Sequence, residues 1–216
     1  MRIGVRLGGC GFYDGTDVNE AVLTLLALEK LGEKPVLLAP DIAHGRVVDH
    51  LTGEADDSER RAVLRESARL GHGRVQALGR SRPEDLEALI IPGGYGPVVN
   101  FSTGFAQRGR PRALIPEVEG FLRHFLEAGK PIGVISLGEI PVRMLLGQEM
   151  EMSAPPSDPR QLRRDPERPI VHTPGASAYT RLTDLQAGIE ALVGEIVRLM
   201  NERSRTQATG RDAEGP

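Results

Sequence analysis

Short apolar runs that end in glycine-rich turns, each followed by a helical stretch, constrain this chain more than any other feature. Arg2 to Leu7 runs into Gly8-Gly9-Cys10-Gly11, Ala88 to Ile91 into Pro92-Gly93-Gly94-Tyr95-Gly96, and Lys130 to Ile135 into Ser136-Leu137-Gly138. Alternation of such β runs with helices of ten to fifteen residues implies βαβ crossovers, which place helices on both faces of a mostly parallel sheet. The expected fold class is therefore α/β. Sites in these sheets gather at the carboxyl ends of strands, so the three glycine-rich exits should share one edge.

The remaining elements follow from periodicity and punctuation. Val22, Leu25, Leu26 and Leu28 to Leu31 predict a first helix, capped by Thr16 or Asp17 and ended by Gly32. Pro35 to Ala39 reads as a second strand, 41–53 as a loop or small hairpin around Val47 and Val48, and Ser58 as the cap of a second helix. A weak strand is expected at 74–77 and an irregular segment at 97–116. Val118, Phe121, Leu122 and Phe125 mark a helix over 117–127, and Glu139 to Leu146 the helix after the Ser136 turn. Five prolines between 153 and 169 predict an exposed loop. Ile170 to Thr173 is expected as a last strand, and Leu182 to Met200 as a final amphipathic helix. Residues 1–200 should form one domain, with a disordered tail over 201–216.

Charge and cysteine content narrow the function. With 27 Lys and Arg against 30 Asp and Glu, the formal charge of −3 gives no footprint for nucleic acid or an anionic membrane. No apolar run approaches the ~18 residues of a membrane span, and the first residues do not form a signal peptide. Cys10 is the single cysteine, which excludes an internal disulfide framework and fits a reducing compartment. The expected location is the cytoplasm. His44, His50, His72, His124 and His172 show no metal-ligand spacing, so no metal or other cofactor is expected.

Ser136 leaves an apolar strand just ahead of a helix, a layout that can lift a nucleophile out of the sheet and aim the first helical amides at it. It can equally be a plain helix cap. The amides of the Pro92-Gly93-Gly94-Tyr95-Gly96 turn can complete an oxyanion hole with that of Leu137, or the glycines can serve an ordinary tight turn. Glu20, in the first turn of the first helix, can lean over the strand ends or simply complement the helix dipole. His172 near a strand end is a candidate base, and Cys10 a thiol at the same edge or buried packing. Tyr13, Tyr95, Asn100 and Glu139 complete the expected pocket. The G-G-C-G spacing of the first turn is no dinucleotide fingerprint.

These residues also carry a resemblance. Gly8-Gly9-Cys10-Gly11-Phe12-Tyr13-Asp14-Gly15, Asn19 to Leu28, His50-Leu51-Thr52-Gly53-Glu54 and Ala128-Gly129-Lys130-Pro131-Ile132-Gly133 resemble the ElbB group of the DJ/PfpI superfamily, a group associated with isoprenoid biosynthesis. The likeness covers roughly 1–148 and resumes near 169–200. It implies a flavodoxin-like, class I glutamine-amidotransferase-like fold. It also implies a nucleophile at 136, a glutamate at 20, oxyanion amides at Gly94 and Leu137, and glyoxalase activity on a small carbonyl substrate without cofactor. Members of the superfamily commonly dimerise, and the apolar faces here permit a homodimer. Two departures stand out: a serine replaces the family's cysteine, and the segment after the elbow helix is short and proline-rich. The resemblance thus leaves a serine-dependent glyoxalase, hydrolase or lyase variant, or a protein that keeps the pocket for a metabolite or partner without turnover. The Cys-His-Glu set of a glutaminase is absent.

Overall fold

The structure, a computed structural model, describes residues 1–105, 112–147, 158–178 and 181–213. Its centre is a seven-stranded sheet in the order β3-β2-β1-β4-β7-β9-β8. These strands are β1 (Arg2–Arg6), β2 (Lys34–Ala39), β3 (Gln76–Ala77), β4 (Ala88–Ile91), β7 (Ile132–Ile135), β8 (Arg163–Arg164) and β9 (Ile170–Thr173). All neighbours pair in parallel except β8, which runs antiparallel to β9 at the edge. β4 and β7 are buried at every position, as befits central parallel strands covered on both faces.

Alternation along the strands divides the core. Ile3, Val5, Ile90, Ile135 and Val171 face α1 (Val18–Lys30) and the C-terminal α6 (Leu182–Ala213). Leu89, Ile91, Ile132, Val134 and Ile170 face α4 (Pro116–Glu127) and α5 (Ile140–Leu146). One polar exception lies in that second layer. Arg6 is fully buried, 4.4 Å from the centre of the Phe101 ring, with Nη1 donating to the Val118 carbonyl at 3.5 Å. Burial pulls its guanidinium down to about 9, against the pull of Glu117.

The first helix begins as its sequence implies: Asp17 Oδ1 accepts the Glu20 amide at 3.0 Å. Several expectations need correction. Ser58 does not cap a helix; its hydroxyl is engaged by Asp56 at 2.6 Å, and α2 (Val63–Leu70) starts after Ala62 without a side-chain cap. The stretch expected to be irregular holds α3 (Gly96–Val99) and the hairpin of β5 (Ser102–Thr103) and β6 (Ala113–Leu114); residues 106–111 lie outside the described part. The proline-rich loop contains β8, whose pairing with β9 satisfies the sheet edge; residues 148–157 lie outside the described part.

The tail expected to be disordered is helical as far as Ala213, with 214–216 outside the described residues. Pairs at helical spacing explain this: Arg198 bonds Glu195 at 2.8 Å and also Glu202, while Arg203 caps the Ala128 carbonyl at 2.9 Å. No described helix is long and apolar enough to cross a membrane.

Candidate active site

The three glycine-rich exits do meet, backbone against backbone. A Cβ on Gly8 would lie 2.8 Å from the Gly96 carbonyl carbon, and one on Gly94, at φ +76°, would lie 2.5 Å from the Asp17 nitrogen. Side chains larger than hydrogen have no room there, which is why glycines recur in the sequence at this edge. The contacts draw the β4 exit onto the start of α1 and, through Gly93, onto Ser136.

Ser136 stands at φ +50°, one of two non-glycine residues with positive φ among those described. Such a backbone costs on the order of 1–3 kcal/mol and persists only where its surroundings fix it. It is the first residue of a 3-10 turn, Ser136–Glu139, that leads into α5, and the cap positions of these two elements are Ile135 and Glu139. The plain-cap alternative therefore fails. Ser136 is 5% exposed.

Glu20 reaches the same point from the α1 side. Its Oε2 accepts the Gly93 amide at 2.5 Å and its Oε1 the Ala176 amide at 2.8 Å. A Cβ on Gly93 would be 2.8 Å from Ser136 Cβ and 2.9 Å from Glu20 Oε2. One on Gly175 would touch both residues again, so the Ser136 Cβ and the Glu20 carboxyl both border on Gly93 and on Gly175. Glu20 is completely buried. That burial raises its carboxyl to about 8 although both amides favour the ionised form, with nearby Asp17 adding to the rise. Near neutral pH the group is mainly a neutral acid, able to donate a proton as well as accept one.

The other expected residues divide. Leu137 follows Ser136 within the 3-10 turn, whereas Gly94, next to Gly93, lies against Gly15, Thr16 and Asp17. His172 does not join Glu20. It pairs with Val134 in register, so strand alternation turns its ring to the α4–α5 face, across the sheet from α1. There Arg163 Nε donates to His172 Nδ1 at 3.0 Å. Burial, then the charges of Arg163 and Arg143, push the imidazole down to about 3, against the Ser136 carbonyl that raises it. The ring thus stands with the arginines, across the sheet from Glu20, and resists taking a proton.

Glu139 belongs to that second cluster, with Oε2 3.1 Å from both Arg143 Nε and Arg163 Nη2. Asn100 ties loops together: buried, it donates to the Gly8 and Asp14 carbonyls at 2.7 and 2.8 Å and accepts the Gly45 amide. Tyr13 and Tyr95 both pack edge-on to Phe12, at 5.3 and 5.7 Å between ring centres, on the outer rim of the first turn. Cys10 is half-buried, and its thiol is pushed up first by burial and then by Glu66, so it is a poor thiolate source.

Sequence reasoning missed the Gly175–Ser177 turn, although Pro174-Gly175 directly follows the last strand and so marks the same edge. It also missed the guanidinium of Arg163, hidden in what read as loop. Among the described residues no cluster of His, Cys, Asp and Glu could hold a metal ion.

Comparison with known proteins agrees with this architecture. No protein-family model matches the chain. The human glutamine amidotransferase-like class 1 domain-containing protein 3, mitochondrial, is 31% identical over 92% of this chain and 83% of its own length. The rat ES1 protein homolog, mitochondrial, is 31% identical over 92% and 84% respectively. Among solved structures, an isoprenoid biosynthesis protein with an amidotransferase-like domain from Ehrlichia chaffeensis superposes with a TM-score of 0.83 at 28% identity, covering 92% of this chain and 99% of that one. A DJ-1 superfamily protein from Salmonella typhimurium shares the fold alone, at a TM-score of 0.52 and 16% identity over 96% of this chain and 97% of that one. The identity and coverage shared with these two mitochondrial relatives, on a sheet and elbow of this kind, mean that the chain belongs to the family of ES1 proteins, with a class 1 glutamine amidotransferase-like domain.

Proposed function

We propose that the chain is a cofactor-independent enzyme acting on a small carbonyl compound, glyoxalase-like in its chemistry, with Ser136 as nucleophile and Glu20 as proton carrier. The observation that carries this reading is the pairing of a strained, positive-φ serine with a wholly buried carboxyl raised to about 8, both bordering on the same two glycines. On a dicarbonyl, Ser136 Oγ adds to one carbonyl carbon. The π pair moves to the oxygen, which takes the Glu20 proton, and the serine proton returns to the Glu20 carboxylate. Hydrogen then passes with its electron pair from that carbon to the neighbouring carbonyl carbon, while the hydroxyl proton on the first carbon leaves to Glu20 and the new alkoxide on the second takes one back. The resulting ester of a 2-hydroxy acid is hydrolysed by water. One water is added overall and no oxidant is consumed. The Gly94 and Leu137 amides are the proposed donors to the developing oxyanion.

Turnover of glyoxal, methylglyoxal and a simple ester tests the reading. Activity should fall at least a hundredfold in Ser136→Ala, and Ser136→Cys should gain reactivity toward dicarbonyls, because a thiol ionises far more readily than a hydroxyl. Activity untouched in Ser136→Ala removes the nucleophile. One feature favours a second reading, retention of the pocket without turnover: both Glu20 oxygens are engaged by backbone amides and neither by the Ser136 hydroxyl. No turnover in the native chain or in Ser136→Cys would select it.

A further inference from the structure

A recess opens on the side of the elbow opposite Glu20. It is a cleft of about 200 Å³ between α5 and the β8–β9 edge. Val142, Leu146 and Ile170 form an apolar wall, and Arg143, Arg163 and Glu139 a polar one. Arg163 Nη2 already carries one carboxylate, that of Glu139, at 3.1 Å, and Arg143 Nε holds the same oxygen at the same distance. Guanidinium forks arranged round a carboxylate are a grip for that group, and an arriving acid can share or take over the position Glu139 occupies.

We propose that this cleft is a binding subsite for a small monocarboxylic acid with a short aliphatic chain. The head lies on Arg163 and Arg143, and the chain lies on Val142, Leu146 and Ile170. The volume is below the several hundred Å³ usual for drug-sized ligands, which sets the size at a handful of carbons. The apolar wall and the Glu139 carboxylate both oppose a doubly charged head such as phosphate. Occupancy does not depend on chemistry at Ser136, yet the subsite touches the elbow. His172, bonded to Arg163 on its cleft side, also meets the Ser136 carbonyl. An acid that draws Arg163 away from His172 therefore alters the group behind the Ser136 backbone.

Calorimetric titration of the full chain with isovalerate, isovaleramide and inorganic phosphate tests this. Isovalerate should bind saturably at one site, with isovaleramide and phosphate at least tenfold weaker. Arg163→Gln and Leu146→Glu should each weaken isovalerate at least tenfold, and Ser136→Ala should leave its affinity unchanged. The His172 ring signals should move on binding. Equal affinity for the amide or for phosphate, no saturable binding, or affinity indifferent to both substitutions overturns the proposal. Should Arg163→Gln fail to fold, Leu146→Glu decides, since that side chain lies half-exposed at the end of α5. Because the readout is binding, its failure leaves the Ser136 reading standing, and loss of turnover in Ser136→Ala leaves this one standing.

Discussion

Two carboxyl groups lie on either side of the Ser136 elbow and are held by opposite means. Glu20, on the α1 side, is sealed from solvent and gripped only by the Gly93 and Ala176 amides. Glu139, on the α5 side, keeps 20% of its side chain exposed and is gripped by Arg143 and Arg163. Neutral dipoles in a dry site leave a carboxyl protonated well above its usual range, whereas guanidiniums hold a partner as an ion pair that water can share. One strand exit thus carries a sealed carboxyl on one face and a partly solvated ion pair on the other. Alternation along β7 and β9 is what keeps the two apart.

The largest effect that can break this comparison is removal of the sealed carboxyl. Glu20→Ala should destabilise the chain by about 3 kcal/mol in urea unfolding, because it strands two buried amides and leaves a void. A change within experimental scatter would mean that the amides find other acceptors and the grip is incidental. Next comes pH. The Glu20 carboxyl rises from an ordinary 4.5 to about 8, so its contribution is fully present below pH 4.5 and disappears by about pH 8. His172 falls from 6.5 to about 3, so its contribution is present above 6.5 and is lost as pH drops toward 3. The two slopes oppose each other between 4.5 and 6.5. Above 6.5 Glu20 acts alone, and stability should decline by up to about 1.4 kcal/mol per pH unit. Glu20→Gln should flatten that decline, and an unchanged slope would assign it elsewhere.

A smaller effect separates contact from backbone strain. Gly175→Ala should cost about 2 kcal/mol, because its new methyl meets Glu20 Oε1, Ile135 and Ser136 as well as a positive φ. Gly129→Ala, at the same φ of +60° with nothing within 4 Å, should cost about 1 kcal/mol. Equal costs would show that the Gly175 wall yields. Smallest of all, Glu139→Gln should change the unfolding free energy by no more than about 1 kcal/mol and make it less sensitive to salt, as expected of a partly solvated pair.

How far the chain could be read in advance follows from the same physics. The central strands and their glycine-rich exits were legible because burial on both faces writes continuous apolar runs, and close backbone approach writes glycine. Glu20 was legible from its place just inside a capped helix. His172 was misread because a residue next to a strand end has two faces open to it, and only pairing with Val134 fixes which. The β8 strand escaped notice because Arg163 and Arg164 form an edge pair with no apolar pattern to betray it. The last turns of α6 were missed because charge-laced helix and polar tail share a composition, and only the spacing of Arg198, Glu195 and Glu202 tells them apart.

The bend at Ser136 belongs to the main chain, set by the strand before it and the tight turn after it. What hangs from that bend is an interchangeable tip on a fixed mount. A cysteine at this position would exchange one oxygen for one sulfur without rebuilding the holder, because the turn and not the side chain fixes the bend.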